Sequence, residues 1–397
     1  MPRERFDVIV AGVGAMGSAA CFHLARRGVR VLGLDADSTP NENGSSGGQS
    51  RMIRYCYYEH PDYVPLLRRS YELWDELCAV TSQPILRRTG GLYVGDPNGP
   101  SVAGSRQSAQ AHGLSHEMLS HGMLKERFPQ FRVPDGYEAL YEPNAGMVTT
   151  ATAIAAHLNL AIDFGGEIHA HEPVVAWRED DRGLLVETTK ATYAADRLVV
   201  AAGSWTSDLL PDLGVPLQVT RQVLGWVWPR NPEPFRVGRF PVWAVDDGAG
   251  SLHYGFPLID GLPGPLGLKV AHHRPGPPTT ATSIDRRVRD ADESAFRAAI
   301  ARYLPDADGP LTGMKVCMYT NSRDAHFVVD LLPEHPFVAV ACGFSGHGFK
   351  FAPVIGEALA DLATTGRTRL PIGFLGIGRF RTTGVEDAPI QTSTLRT

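Results

Sequence analysis

Three stretches of this chain carry residue types at spacings that suit chemistry. The first is Gly12-Val13-Gly14-Ala15-Met16-Gly17, which follows the apolar run Phe6–Ala11 and precedes a helical pattern over Ser18–Arg27. A second apolar run from Val29 ends in Asp35. Strand, glycine turn, helix, strand and acid in that order make a βαβ unit that binds a dinucleotide. Gly12 permits the tight turn, Gly14 lets a pyrophosphate approach the backbone, and Gly17 lets helix and strand pack closely. The helix N-terminus turns its unpaired N–H groups toward the phosphates. Asp35 can accept hydrogen bonds from ribose hydroxyls, which favours FAD or NAD over a 2′-phosphorylated cofactor.

The second stretch is Asn41–Tyr55, "NENGSSGGQSRMIRY", a glycine- and serine-rich loop carrying Ser45, Ser50, Arg51 and Arg54. A helical turn over Ser50–Tyr55 would set the two arginines on neighbouring faces. A loop so rich in small residues, just after a cofactor strand, is where backbone approaches a ligand. The third is "KVCMYTNS", Lys315–Ser322, in which Cys317 sits among β-formers two residues before Tyr319. A lone cysteine is ordinarily a small buried hydrophobe. As a thiolate it would be a nucleophile. The residues alone leave both readings open.

The elements that must position these groups follow from pattern. Tyr63–Val80 reads as an amphipathic helix with Val64, Leu67, Tyr71, Trp74 and Leu77 on one face. "RRTGGLYVGD" reads as a strand entering another layer, and Ala151–Phe164 as a helix. Short strands are expected at Val174–Trp177 and Gly183–Thr188, then a continuous buried strand over Arg197–Gly203. From there to about residue 310 the sequence turns β-rich and is punctuated by Pro and Gly. Phe337–Cys342 reads as a last parallel strand, Gly343–Gly348 as a glycine turn and Ala352–Thr364 as a helix. "TRLPIGFLGIGRF" is expected to pack over the outside.

Composition bounds the class. A chain of 397 residues, 43% hydrophobic and 20% charged, is a folded globular protein long enough for two domains. Its 38 basic and 43 acidic side chains nearly cancel, and no block of like charge offers nucleic acid or an anionic membrane a surface. The five cysteines (Cys21, Cys56, Cys78, Cys317, Cys342) are scattered with no C-x-x-C pair. That spacing argues against a disulfide framework or a zinc site and fits a reducing compartment. The N-terminus runs straight into a strand, no apolar run is long enough to cross a bilayer, and "TLRT" is not a peroxisomal address. A soluble cytoplasmic protein is expected.

Several longer blocks resemble a known family. "GSSGGQSRMIR", "PDYVPLLRRSYELWDEL", "LHYGFP", "GLKVAHH", "KVCMYTNSRDAHFVVD" and "ACGFSGHGFKFAPVIGEALADL" occur here in the order found in the monomeric sarcosine oxidase and N-methyltryptophan oxidase family. The resemblance implies an FAD-containing amine oxidase of α/β (α+β) class. A Rossmann-like FAD-binding domain (1–85, 145–220 and 315–385) would interleave with a β-rich substrate domain (86–144 and 221–314). It further implies that Cys317 is joined through sulfur to the 8α position of the flavin ring. Arg54 and Lys350 match the residues that bind the substrate carboxylate, Arg by bidentate recognition and Lys as a point charge. Tyr254, His273 and Tyr319 match pocket positions. Lys269 matches a lysine held near flavin N5 and implicated in oxygen activation, with Arg51 and Ser50 supporting it. A fixed cation there would stabilise the negative charge that O2 gains on reduction. Ser45, Gly346 and Gly348 fall in the cofactor and pocket loops.

The implied reaction oxidises a secondary amine to an imine with O2 reduced to hydrogen peroxide, in a monomer needing no macromolecular partner. The chain also departs from the family. Ser46 and Gly47 stand where its sarcosine enzymes carry histidines, and "LIDGLPGPLG" lengthens the segment before Lys269. Tyr55, Tyr57 and Tyr58 add aromatic surface near Arg54. A bulkier substrate, whether an N-methylated aromatic amino acid, a cyclic imino acid or another specialised amine, is therefore an alternative. An NAD-dependent dehydrogenase would leave Cys317 and the turn before Lys350 unexplained. A non-catalytic flavoprotein subunit could lose Arg54, Lys269, Cys317 and Lys350, yet all four are present.

Overall fold

The computed structural model describes residues 4–381. The segment "TLRT" and the expected boundary at 385 lie outside these residues, as do the first three.

An eight-stranded sheet forms one layer. Arg5–Ala11 lies at its centre, parallel to Val31–Leu34 on one side and to Thr192–Val200 on the other. Val338–Cys342 extends the parallel set beyond Thr192–Val200. Such strands are buried on both faces and so read as unbroken apolar runs. Helices Ala15–Arg26, Thr150–Asp163 and Ala352–Thr365 pack together against one face. A second apolar cluster covers the other face. Asp35 falls just past the end of its strand, at the carboxyl edge where open parallel sheets bind ligands.

A nine-stranded sheet forms the second layer. Its long strands Leu217–Val227 and Leu311–Ser322 pair antiparallel along nearly their whole lengths. The boundaries expected at 220/221 and 314/315 therefore cut through two strands that belong to this sheet. Asp290–Tyr303, expected to be β-rich, is a helix whose Phe296, Ala299, Ile300 and Tyr303 are buried against the outer face of the sheet. A three-stranded sheet of Ser50–Ile53, Gly146–Thr149 and Leu86–Arg88 joins the layers.

Two expectations are corrected. Ser50–Tyr55 is not a helical turn, because the backbone of Ser50–Ile53 pairs with Gly146–Thr149. Arg51 and Arg54 consequently point into different surroundings. The segment "TRLPIGFLGIGRF" does not lie outside: Leu375 and Ile377 are fully buried, and Phe374 packs edge-on against the Tyr63 ring. Its apolar side chains have more area to remove from water than an outer wrapping would cover. "RRTGGLYVGD" supplies two strands in different sheets, Leu86–Arg88 and Gly91–Gly95. The strand expected over Arg197–Gly203 ends at Val200 and passes into a short 3₁₀ turn, Gly203–Trp205.

Candidate active site

A single cavity of about 570 Å³ runs between the two large sheets, within the size range of small-molecule and cofactor sites. One end is lined by Gly12–Ala15 and Asp35, the other by Arg54, Tyr254, His273, Tyr319 and Lys350.

The first end suits a dinucleotide. Gly12 has φ +89°, and a Cβ there would lie 2.7 Å from the Ala201 carbonyl oxygen. At Gly14 a Cβ would meet nothing nearer than Ser46 Oγ at 3.8 Å, so the backbone is open toward the cavity. Helix Ala15–Arg26 has no side-chain cap and no acid in its first turn, which leaves its leading N–H groups to an anion. The Asp35 carboxylate accepts from Val13 N at 2.9 Å and Asp37 N at 3.1 Å, so it braces the glycine turn while facing the cavity. Burial raises its pKa. Each oxygen keeps a second lone pair for a ribose hydroxyl.

The other end is built by strand alternation. Successive residues of a strand face opposite sides of a sheet, and directly paired residues face the same side. The register pairs Tyr254 with Ala271 and Phe256 with Lys269. It pairs Lys269 with Trp226, Ala271 with Leu224, Gln222 with Cys317, and Thr220 with Tyr319. Tyr254, Lys269, Cys317 and Tyr319 thus share one face of the nine-stranded sheet, the face turned to the cavity. His273 follows at the end of its strand and its Nδ1 lies 3.4 Å from the Tyr319 hydroxyl. The alternate residues Trp243, Val245, Leu268 and Val270 face the other way, into the core beneath Phe296.

Lys269 and Cys317 are not among the residues lining the cavity; they stand in its wall beside Arg51. The Arg51 guanidinium donates to the carbonyls of Ser45, Gly47 and Ser50 and approaches Cys317 Sγ at 4.0 Å. Lys269 Nζ donates to the carbonyls of Gly48 at 2.6 Å and Ser50 at 2.7 Å, with Ser50 Oγ at 3.4 Å. Burial, then the charge of Arg51, push its pKa well below the usual lysine value. Ser45 and Ser204 place their hydroxyls on the cavity surface 3.4 Å apart.

Gly343–Gly348 brings the remaining groups. Gly346 has φ +79°, and a Cβ there would lie 2.4 Å from the Tyr319 ring, so only glycine lets the turn close on that side chain. Gly348 precedes the 3₁₀ turn Phe349–Phe351, which directs Lys350 inward. Lys350 Nζ donates to the His347 carbonyl at 2.7 Å and lies 5.0 Å from the Tyr57 ring centroid. Burial and then the charge of Arg54 lower its pKa to about 7. Burial likewise holds His273 neutral, with a pKa near 4.

Sequence reasoning missed Glu59. Both of its carboxylate oxygens accept from Arg54 Nη2, at 2.6 and 2.7 Å. Burial favours its neutral form, but Arg54 outweighs that and holds its pKa at about 2. The guanidinium also lies over the rings of Tyr57, Tyr58 and Tyr93, within 5.3 Å of each centroid. An acid five residues after an arginine was the available signal, but only the fold bends Glu59 back to it. The Tyr57 hydroxyl meets His347 Nδ1, a pair equally invisible in sequence.

This arrangement can hold a dinucleotide along its length and a small anion with an apolar substituent at its far end. Residues 7–362 match the family model described as FAD dependent oxidoreductase. Monomeric sarcosine oxidase of Streptomyces avermitilis is 46% identical over 370 residues, which cover 93% of this chain and 96% of that protein. N-methyl-L-tryptophan oxidase of Salmonella heidelberg is 35% identical, covering 90% of this chain and 95% of that protein. The fold superposes on NikD, an unusual amino acid oxidase essential for nikkomycin biosynthesis, with a TM-score of 0.83 and 26% identity over 94% of this chain and 97% of NikD.

Proposed function

This chain belongs to the FAD dependent oxidoreductase family, and from that premise we propose that it is an oxidase of N-methyl amino acids that uses O2. One observation carries the reading: a single cavity joins a dinucleotide turn to two buried cations and a row of neutral aromatic groups. FAD would supply the redox chemistry when bound: two-electron oxidation of the substrate C–N unit to an imine, which water hydrolyses, coupled to reduction of O2 to hydrogen peroxide.

The protein's own residues do the rest. Gly12, Gly14 and Asp35 hold the dinucleotide, and Ser45, Gly346 and Gly348 shape the walls, while Gly17 lets the helix pack on the Gly12 carbonyl and Ser50 anchors Lys269. Arg54 and Lys350 orient the substrate carboxylate. Tyr254, His273 and Tyr319, all neutral at pH 7, face the amine and its methyl group without adding charge. Arg51 and Lys269 supply positive charge beside Cys317, where reduction of O2 builds negative charge. Cys317, 3.9 Å from the Ser45 carbonyl and next to Arg51, is the proposed point of covalent flavin attachment. We assign the eight-stranded sheet to the FAD domain and the nine-stranded sheet to the substrate domain. A monomer in the cytoplasm completes the proposal, and no helix among the described residues is long and apolar enough to cross a membrane.

A visible spectrum before and after acid precipitation tests the cofactor assignment. Yellow colour retained in the washed pellet, and released to the supernatant in Cys317→Ala, is the expected result. Release from the wild type removes the covalent bond but keeps the flavin, whereas colourless protein from FAD-supplemented cells overturns the oxidase reading. Peroxide formation with sarcosine, N-methyl-L-tryptophan and pipecolate then assigns the substrate class.

A further inference from the structure

The strand that carries Arg51 ends one residue before Arg54. Ile53 pairs with Gly146 and the chain then leaves the ladder, so strand pairing no longer serves the N–H groups of Tyr55 and Cys56. Arg54 and Cys56 are buried, and buried N–H groups must find acceptors. Both find the same one. Glu142 is the last residue of the strand Glu138–Glu142 in the nine-stranded sheet. It accepts from Tyr55 N at 2.7 Å and from Cys56 N at 2.9 Å, one through each carboxylate oxygen.

Glu142 is 1% exposed, a rare position for an acid. Its oxygens answer backbone donors, while the nearby Arg54 is met by Glu59. Burying a carboxylate is costly unless it is hydrogen-bonded. The two charge-assisted bonds offset part of that cost and fix the peptide planes on the carboxyl side of Arg54. Ser108, on the helix Pro100–His112, fixes the next one, because its Oγ donates to the Tyr57 carbonyl at 2.6 Å.

The place of the guanidinium follows from these anchors. Arg54 is joined directly to Tyr55, and its Nη1 turns back to donate to the Cys56 carbonyl at 3.4 Å. A shift of the Tyr55–Cys56 backbone therefore moves the side chain at its root and at its tip. Neither Glu142 nor Ser108 lines the cavity. Both act through Arg54.

We propose that Glu142 is a positioning residue that aims Arg54 at the substrate carboxylate, with the neutral Ser108 bond as a weaker second anchor. The proposal rests on the reading above that Arg54 receives this carboxylate.

Propanoate binding to the FAD-loaded protein, read as the change it makes in the flavin's visible spectrum, tests this without turnover. Glu142→Gln keeps the length of the side chain but sets an NH2 group against one of the two N–H donors. Misplacing a binding group by about 1 Å can cost about 100-fold, and Kd is expected to rise about 10- to 100-fold. In an Arg54→Met background, where propanoate still meets Lys350, the same substitution is expected not to raise Kd, because no guanidinium remains to be aimed. With sarcosine the loss is expected in KM, with kcat held within about twofold. Should Glu142→Gln impair folding, Ser108→Ala is expected to give a smaller rise in Kd with the same dependence on Arg54.

Loss of a negative charge alone would tighten propanoate binding, and a merely structural role would weaken it equally in both backgrounds. Either result overturns the proposal, as does an unchanged Kd. Propanoate binding that follows the expected pattern, without peroxide from any N-methyl amino acid, overturns the oxidase reading and leaves Glu142 in its role.

Discussion

Arg54 and Lys350 face the same cavity but hold their charges differently. Arg54 is permanently cationic and is met by ionised Glu59 at 2.6 Å, so the pair adds little net charge. Lys350, with a pKa near 7, decides whether this end of the cavity is positive. The sign follows directly: below about pH 7 Lys350 is an ammonium and attracts a carboxylate, and above it the attraction fades. The Kd of a competitive carboxylate such as propanoate is expected to rise as pH increases through about 7, and to be flat from pH 6 to 8 in Lys350→Met. The same substitution is expected to raise KM by about 10- to 100-fold, the worth of one charged hydrogen bond. A flat profile in the wild type would remove Lys350 from carboxylate recognition. Of these site residues, the cations were legible through resemblance, whereas Glu59 was not, because its role depends on a contact that no local pattern encodes.

At the scale of elements, the site is a product of period-two alternation and one glycine turn. Lys269, Cys317 and Tyr319 come from two strands separated by a helix in sequence, and pairing of both with Leu217–Val227 places them on one face. A one-residue slip would send each to the opposite side. Gly346 limits how closely the turn approaches Tyr319. Gly346→Ala must bear a positive φ and a 2.4 Å contact with the ring, at a cost on the order of 1–3 kcal/mol. A fall of several degrees in Tm and a reduced kcat/KM are expected, while Gly373→Ala, whose Cβ meets nothing within 4 Å, should leave Tm unchanged. Equal Tm values for the two variants would show that the turn yields freely. The helix Asp290–Tyr303 was readable in hindsight: acids crowd its first turn, and Phe296, Ala299, Ile300 and Tyr303 recur at helical spacing. Proline and glycine upstream masked it. Ser50–Ile53 was misread for the opposite reason, since its partner strand lies about ninety residues away.

Across the whole molecule, folding buries histidines in their neutral form. Burial lowers the pKa of His23, His157 and His347 to about 3 and of His253 and His273 to about 4. An unfolded histidine titrates near 6.5, so between that pH and about 4 the unfolded chain binds more protons. Stability is therefore full above about pH 6.5 and is lost as pH falls toward 4, by up to about 1.4 kcal/mol per pH unit for each such group. Tm followed by circular dichroism is expected to drop steeply from pH 7 to 5. His157→Leu, in a side chain packed against Trp74 and Phe22, should make the slope shallower. A Tm independent of pH over this range would show that these histidines reach water.

Local sequence determined the βαβ unit, since strand, glycine turn, helix and Asp35 are contiguous and each rests on short-range backbone and periodicity rules. It also determined the amphipathic helix beginning at Tyr63 and the apolar parallel strands. Only the tertiary structure decided that Glu59 neutralises Arg54, that the Tyr57 hydroxyl meets His347, and that "TRLPIGFLGIGRF" is buried. Each of these depends on chain segments distant in sequence meeting in space, and the free energy that brings them together comes from long-range strand pairing and burial of apolar area. Those forces act between surfaces that no window along the chain contains.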